Sequence, residues 1–157
     1  MLVQYLRYIF FGTAIIAMTP VGSQAQTCPW MTPGSAAKLL GGEATATIQI
    51  VDDKQGSCSF VRSDGKAGYS LAIVVSHKAV EACPEGSMAV KGIGNDAQWC
   101  SVRQSSTETF DRISSRVRDA FFTVALRVAG LKNGGMTEEM RHDILDQAAE
   151  LVAGNLF

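Results

Sequence analysis

Four cysteines behind an apolar N-terminal stretch constrain the fold of this chain more than any other feature. They are Cys28, Cys58, Cys83 and Cys100. An even number of cysteines in an exported chain predicts two disulfides, because the destination is oxidising. No pair has the C-x-x-C spacing of a thioredoxin-type redox site, and His77 and His142 do not complete the closely spaced ligand pairs of a zinc site. Structural disulfides are therefore expected, no metal is expected, and three connectivities remain open.

The N-terminus has the three parts of a secretory signal peptide. Arg7 is the only charged residue in the first 37, residues 8–18 are apolar, and small residues follow at Ser23 and Ala25. A membrane anchor is the alternative, but the apolar core is only about half of the ~20 residues that a spanning helix needs. We expect a signal peptide over residues 1–25 that is cleaved after Ala25, and a periplasmic or secreted protein with no stable membrane span in its mature form.

Residues 26–157 have the size of one ordinary domain, and they are predicted to form a single disulfide-stapled α+β domain. Ala25, Gln26 and Thr27 are a poor match to the lead-in that lipid attachment at Cys28 requires. Removal of the signal peptide moves the formal net charge from −1 to −2. Near neutrality provides no electrostatic footprint for nucleic acid, so no nucleic-acid partner is expected. No block of like charge indicates a tail for an acidic membrane.

The first half of the mature chain predicts one short helix and a three-stranded meander. Residues 32–41 begin with Thr32 as a potential N-cap and Pro33 at the first helical position, and they end at Gly41. Period-two alternation then predicts three strands, at residues 44–50, 57–62 and 69–76.

The second half predicts two or three further strands and a long helix. Residues 97–104 have a strand-like pattern, residues 105–111 form a polar loop, and residues 113–118 and 120–128 form two strands or one long bent strand. After the break at residues 133–135, Thr137 is a potential N-cap. The helix that follows has a predicted apolar stripe consisting of Met140, Ile144, Leu145, Ala148, Leu151 and Val152.

The predicted fold class is therefore α+β. We expect a mostly antiparallel sheet of five to six strands, covered by the short N-terminal helix and the long C-terminal amphipathic helix, with two disulfides.

The stretch VKGIGNDAQWC at residues 90–100 invites comparison with a phosphate-binding loop, because Gly92 and Gly94 flank Ile93. The dinucleotide fingerprint needs a third glycine and a following helix, and a strand with Trp99 follows here instead. A backbone turn that uses glycine at positive φ is therefore the preferred interpretation. No cofactor is expected.

Three segments together resemble a pattern in exported bacterial domains of unknown function: CPWMTPGSAAKLLGG, GSCSFVR and VKGIGNDAQWC. In that pattern a cysteine precedes a Leu-Thr-Pro-type helix, a paired cysteine lies in a strand, and a Gly-Ile-Gly-Asp-Glu-Ala-like turn follows. Similar architecture occurs in extracellular sensor domains of bacterial Ser/Thr kinases and in the PsbP/Mog-like sandwich. The resemblance implies that Cys28 pairs with Cys58 and Cys83 with Cys100. It provides no catalytic residues to transfer, and Asn95-Asp96 departs from its usual Asp-Glu pair.

Few residues are candidates for chemistry. His77 and His142 could each serve a small hydrolase, although no G-x-S-x-G or H-E-x-x-H motif surrounds them. Five arginines form either a patch for an anionic ligand or envelope polymer, or the mixed charge of an open sheet face: Arg103, Arg112, Arg116, Arg118 and Arg127. Trp30 and Trp99 are interpreted as core residues near disulfides rather than as ligand-stacking residues.

We expect a non-catalytic binding or sensor-like module of the cell envelope, with an unknown envelope ligand or protein as its partner. The alternatives are a secreted hydrolase that uses His77 or His142, and a purely structural envelope component.

Overall fold

The computed structural model describes residues 27–65, 67–80, 82–83, 86–105, 107–130 and 135–157, with only the backbone at 102–104. The predicted signal peptide, residues 1–25, lies outside these ranges. Two helices and seven strands are present in the described part of the chain. They are α1 (Pro33–Leu40), β1 (Thr45–Asp52), β2 (Gln55–Ser63), β3 (Ala67–Ser76), β4 (Met88–Ala89), β5 (Asn95–Ser105), β6 (Glu108–Val117), β7 (Ala120–Gly130) and α2 (Glu138–Leu156).

The strands form one sheet in the order β1-β2-β3-β7-β6-β5-β4, and every neighbouring pair is antiparallel. The α+β class and the two covering helices are as predicted, but the expected count of five to six strands is wrong. The missed strand, β4, has two residues, which are too few to show a period of two. The predicted loop at residues 105–111 is also too long, because β6 already begins at Glu108.

Both helices begin at the predicted N-caps, and α1 ends at the predicted glycine. Thr32 Oγ1 accepts a hydrogen bond from the Ser35 N–H at 3.0 Å, and Thr137 Oγ1 accepts one from the Met140 N–H at 3.2 Å. Gly41 ends α1 at a φ of 74°, which is the left-handed conformation of a C-terminal cap.

The two faces of the sheet differ because side chains alternate along each strand. One face, the helix face, is covered by α1 and α2, and apolar side chains of adjacent strands meet there in register. Leu71 lies opposite Leu126, and Val124 lies between Ile73 and Ile113. All five of these residues have no exposed surface, and their burial supplies much of the driving force for folding. The other face has no helix among the described residues, and we call it the open face.

The helix α2 is rotated relative to the predicted stripe. Met140 and Leu151 were predicted on the buried side, yet their side chains are 49% and 42% exposed. Arg141 is buried instead, together with small residues at Ala149 and Ala153. The rotation follows from a polar contact under the helix, because it brings Arg141 onto a buried carboxylate of β6.

Residues 91–94 form a turn that leads into β5, and residues 95–100 already belong to that strand. Gly92 and Gly94 both have positive φ, at 87° and 54°, and Asp96 follows at 57°. The hydroxyl of Ser115 donates to the Ile93 carbonyl at 2.8 Å, and the Ile93 side chain is buried. The glycines therefore supply backbone freedom at the start of a strand, as the preferred interpretation of the sequence has it.

The two glycines of this turn should respond differently to alanine. We expect Gly92→Ala to lower the free energy of unfolding by about 1–2 kcal/mol, which is the cost of a non-glycine residue in the left-handed backbone conformation. A new Cβ at this position meets open space, so no steric overlap is added. At Gly94 a Cβ would lie 2.7 Å from the Arg116 carbonyl oxygen, so steric overlap adds about 1–3 kcal/mol. Urea denaturation of both variants measures the difference. Equal losses would show that the close approach at Gly94 relaxes without cost.

Candidate functional site

The disulfides lie on opposite faces of the sheet. Cys28 bonds to Cys58 with a Cα–Cα distance of 6.0 Å, and it ties the described N-terminal segment to β2 on the helix face. Cys83 bonds to Cys100 at 5.9 Å, and it ties the segment after β3 to β5 on the open face. This pairing is the one that the family resemblance implies.

The second disulfide helps to form a groove of ≈ 330 Å³ on the open face, which we call the open-face groove. One side of it, the loop wall, consists of Ala79, Val80 and Ala82, and the floor comes from β5, β6 and the start of β7. Side chains of the floor converge on the groove from three strands: Asp96, Gln98, Ser114, Arg116 and Phe121. A concave site with a few convergent polar groups beside an apolar surface is the usual form of a ligand site.

The loop wall is attached to the sheet at two adjacent points. Cys83 provides the covalent attachment, and the Arg112 guanidinium donates from Nη2 to the Ala82 carbonyl at 3.2 Å. Arg112 can do this because alternation along β6 points Phe110, Arg112, Ser114 and Arg116 to the open face. The wall therefore has a defined position over the floor.

The charges in the groove are of both signs. The Arg116 Nη2 atom lies 4.0 Å from Asp96 Oδ2, and the Arg116 Cζ atom lies 5.9 Å from the centroid of the Phe121 ring. Both charged side chains are exposed, at 46% and 88%, so their mutual attraction is weak in water. A bound ligand would displace little stabilising interaction from either group.

Three arginines of the predicted patch have individual partners, and Arg118 lies in the turn between β6 and β7 at a φ of 55°. Arg127 pairs with Glu108 across β6 and β7, Arg116 lies near Asp96, and Arg112 donates to the loop wall. The side chain of Arg103 lies outside the described part of the chain. These pairs favour the mixed-charge interpretation of an open sheet face over a purely cationic patch.

His142 is the one predicted histidine with an ordered partner in the described residues. Its Nδ1 atom lies 3.1 Å from Asp146 Oδ2 one helical turn later, and its ring lies 5.3 Å from the Trp99 ring. Thr137, Glu138 and Glu139 line a shallow depression beside it. The described hydrogen bonds bring no hydroxyl to His142, so a carboxylate and an imidazole are present without a positioned nucleophile.

His77 lies in an exposed turn after β3 and belongs to a surface cluster of charges. Lys54 Nζ donates to both carboxylate oxygens of Asp119, at 3.1 and 3.2 Å, and this hydrogen bond lowers the pKa of Asp119 below its usual value, with a small further contribution from His77. The cluster joins two tight turns at one end of the sheet. Lys54 and Asp119 therefore form a surface ion pair, with side chains 42% and 61% exposed.

Trp99 and Trp30 are both buried core residues, as predicted, but Trp99 lies on the opposite face of the sheet from the disulfide of Cys100. Trp99 lies on the helix face against His142, whereas its neighbour Cys100 faces the open side, because adjacent strand residues alternate. Trp30 is 1% exposed and donates from Nε1 to the Asp53 carbonyl at 3.2 Å. Neither ring is available for stacking on a ligand.

A buried polar cluster between α2 and β6 is not predicted by the sequence patterns above. Asp111 is fully buried, and its Oδ2 accepts from Arg141 Nε at 2.6 Å. Ser101 donates to the other carboxylate oxygen, and Arg141 Nη1 donates to the Met136 carbonyl at 3.4 Å. A charged residue at an inward position of β6, two residues before Ile113, is the signal that could have revealed it. The cluster is closed to solvent and fixes the position of α2.

The described residues contain no group of three or more histidine, cysteine, aspartate or glutamate side chains arranged to hold a metal ion. Nor does a helix in these residues have the length and apolarity needed to cross a membrane. No family model, curated protein or solved structure matches this chain, so the geometry of the open-face groove is the main basis for assigning a function.

Proposed function

We propose that this protein is an exported, non-catalytic binding module of the cell envelope that holds its ligand in the open-face groove. The observation that carries the proposal is the double attachment of the loop wall, by Cys83–Cys100 and by Arg112, over a floor of convergent polar side chains. Two disulfides fit an extracellular or periplasmic compartment. The resemblance to exported bacterial domains and extracellular sensor domains supports the same class of function.

The ligand that best suits this groove is a neutral, polyhydroxylated molecule such as an envelope oligosaccharide. Arg116 and Asp96 contribute opposite charges, so the groove has no net charge to attract an anion. Its guanidinium, carboxylate, amide and hydroxyl groups offer both donors and acceptors, which match hydroxyl groups that do both. The Phe121 ring adds an apolar surface beside them.

Filling the groove with a bulky side chain should weaken ligand binding. We expect the wild-type chain to bind at least one soluble hexose or N-acetylhexosamine oligosaccharide in isothermal titration calorimetry. Ser114→Trp should weaken that binding at least tenfold, or about 1.4 kcal/mol, because the indole would occupy the floor. Ser59→Trp is the matched control, since Ser59 also faces the open side but lies on β2, away from the groove.

Arg116→Met distinguishes ligand classes in the same assay. Oligosaccharide binding should fall severalfold, whereas citrate and inorganic phosphate should not bind the wild-type chain in the groove. If the wild-type chain binds an anion but no oligosaccharide, and Arg116→Met removes the anion binding, the proposed ligand class is wrong. The proposed position of the site is then correct. Oligosaccharide binding that Ser114→Trp leaves unchanged would show that the site is wrong.

A hydrolase is the second candidate, and the His142–Asp146 contact favours it. A carboxylate that orients an imidazole is one part of a nucleophilic constellation. Screening the full chain with ester, amide and glycoside substrates tests this candidate. Turnover that is lost in His142→Ala and kept in His77→Ala would show that the protein is an enzyme rather than a binding module.

A further inference from the structure

The two edges of the sheet are protected to very different degrees. At one edge, β4 has only two residues, and a short edge strand offers little backbone for further pairing. At the other edge, β1 has eight residues and pairs only with β2 in the described part of the chain. One row of its backbone N–H and C=O groups therefore faces outward, along the length of the strand.

The side chains of β1 lack the features that usually block edge pairing. Residues 45–51 contain no charged residue and no proline, and the one irregularity in the pairing with β2 lies at its far end, between Ile50 and Asp52. The helix-face side chains Ala46 and Ile48 are only partly buried at this edge. A strand added to β1 would cover their remaining apolar surface and use the open hydrogen-bonding groups.

We propose that β1 is a self-association surface, at which two copies of this chain pair their β1 strands antiparallel around a two-fold axis near Ile48. The two seven-stranded sheets would then form one continuous sheet with all helices on one side. In this register Ile48 lies beside Ile48 of the second copy, Ala46 beside Ile50, and Thr47 beside Gln49.

A second copy is the occupant that this edge suits best, because the strand is complementary to itself. On the helix face Ile48 meets Ile48 and Ala46 meets Ile50, whereas on the open side Thr47 meets Gln49 and Thr45 meets the exposed Val51. Residues 45–51 contain no charged side chain, so the pairing leaves no charge unpaired. The contact is small compared with the ~1,600 Å² typical of stable complexes, so the dimer should dissociate on dilution. The open-face groove lies at the β5–β6 side of the sheet and stays accessible.

Charge substitution on the open-face side chains of β1 tests the pairing. Thr47 and Gln49 are both exposed, so Thr47→Lys with Gln49→Lys should leave the fold unchanged and give the melting temperature of the dilute, monomeric wild type. Across the two-fold axis, however, the substitutions place lysine opposite lysine twice, and like charges directly opposite one another disfavour strand pairing. Sedimentation equilibrium of the exported chain should show a concentration-dependent dimer for the wild type and a monomer for this variant.

A complementary pair of variants makes the test specific. Thr47→Glu with Gln49→Glu should also be monomeric alone, and an equimolar mixture with the lysine variant should restore the dimer. Met140→Lys with Gln147→Lys adds the same charge on the exposed side of α2 and should dimerise like the wild type. Amide hydrogen exchange in residues 45–50 should slow as wild-type concentration rises.

The remaining outcomes each overturn the proposal. A wild-type chain that is monomeric up to millimolar concentration excludes self-pairing and leaves an extended segment of another protein as the occupant of β1. A dimer that persists in the lysine variant has its interface elsewhere. A mixture of the two charge variants that stays monomeric shows that their residues are not opposite each other.

Discussion

Replacing Arg141 with methionine is expected to lower the free energy of unfolding by about 3–5 kcal/mol, because it leaves the Asp111 carboxylate buried without its counter-ion. Asp111 is fully buried, and the side chain of Arg141 is only 7% exposed. Water therefore cannot replace the lost hydrogen bonds. The same reasoning predicts a loss of similar size for Asp111→Leu, which would strand the guanidinium. Guanidinium chloride denaturation measures both variants.

The double variant Asp111→Leu with Arg141→Met provides the decisive comparison. Two apolar side chains carry no desolvation cost, so we expect the double variant to recover most of the stability that either single variant loses. Arg127→Met is the control for loss of an arginine. Its pair with Glu108 lies at the surface, with the Arg127 side chain 57% exposed, and its removal should cost less than about 1 kcal/mol. Additive losses in the double variant would contradict this account of the cluster.

Removal of either disulfide is expected to cost about 3–4 kcal/mol in stability, but only one removal should affect ligand binding. In the chain-entropy account, the longer loop closed by Cys28–Cys58 contributes slightly more than the shorter loop closed by Cys83–Cys100. The sequence separations are 30 and 17 residues. Of the two disulfides, Cys83–Cys100 is the one that attaches the loop wall of the open-face groove.

Two double serine variants separate these effects. The variant with Cys83→Ser and Cys100→Ser should keep its fold at low temperature and lose oligosaccharide affinity, because the wall loses its covalent attachment and keeps the weaker hydrogen bond from Arg112. The variant with Cys28→Ser and Cys58→Ser should unfold at lower denaturant concentration and, while folded, bind as the wild type does. Calorimetry below the unfolding transition measures both. Unchanged affinity after loss of Cys83–Cys100 would show that the wall takes no part in binding.

Local features of the chain were predicted well because their causes lie within a few residues. The caps at Thr32 and Thr137 depend on a hydroxyl and a backbone N–H three residues apart. The tight turn at Arg118 and Asp119 joins two strands whose alternation is clear on both sides. The N-terminal half of β6 was missed for the opposite reason, because inward-facing Thr109 and Asp111 are polar and conceal the period of two.

The candidate site could not be predicted because its parts are distant in sequence. The loop wall meets the sheet through Ala82 and Arg112, which are 30 residues apart, and through Cys83 and Cys100. Pairing of β5 with β6 and of β6 with β7 decides which side chains line the floor. A change of one residue in register would move every one of them to the other face.

The amino-acid sequence by itself determined the α+β class, the N-caps of both helices and the C-cap of α1, the turns between strands and the presence of four cysteines suited to two disulfides. Only the tertiary structure decided which cysteines pair, that the sheet has seven strands, which side of α2 is buried and that a groove forms on the open face. The physical reason is how far apart in the sequence the interacting residues lie. Caps and turns form between near neighbours in the chain, whereas the Asp111–Arg141 pair and the loop wall depend on packing between residues that only the folded sheet brings together.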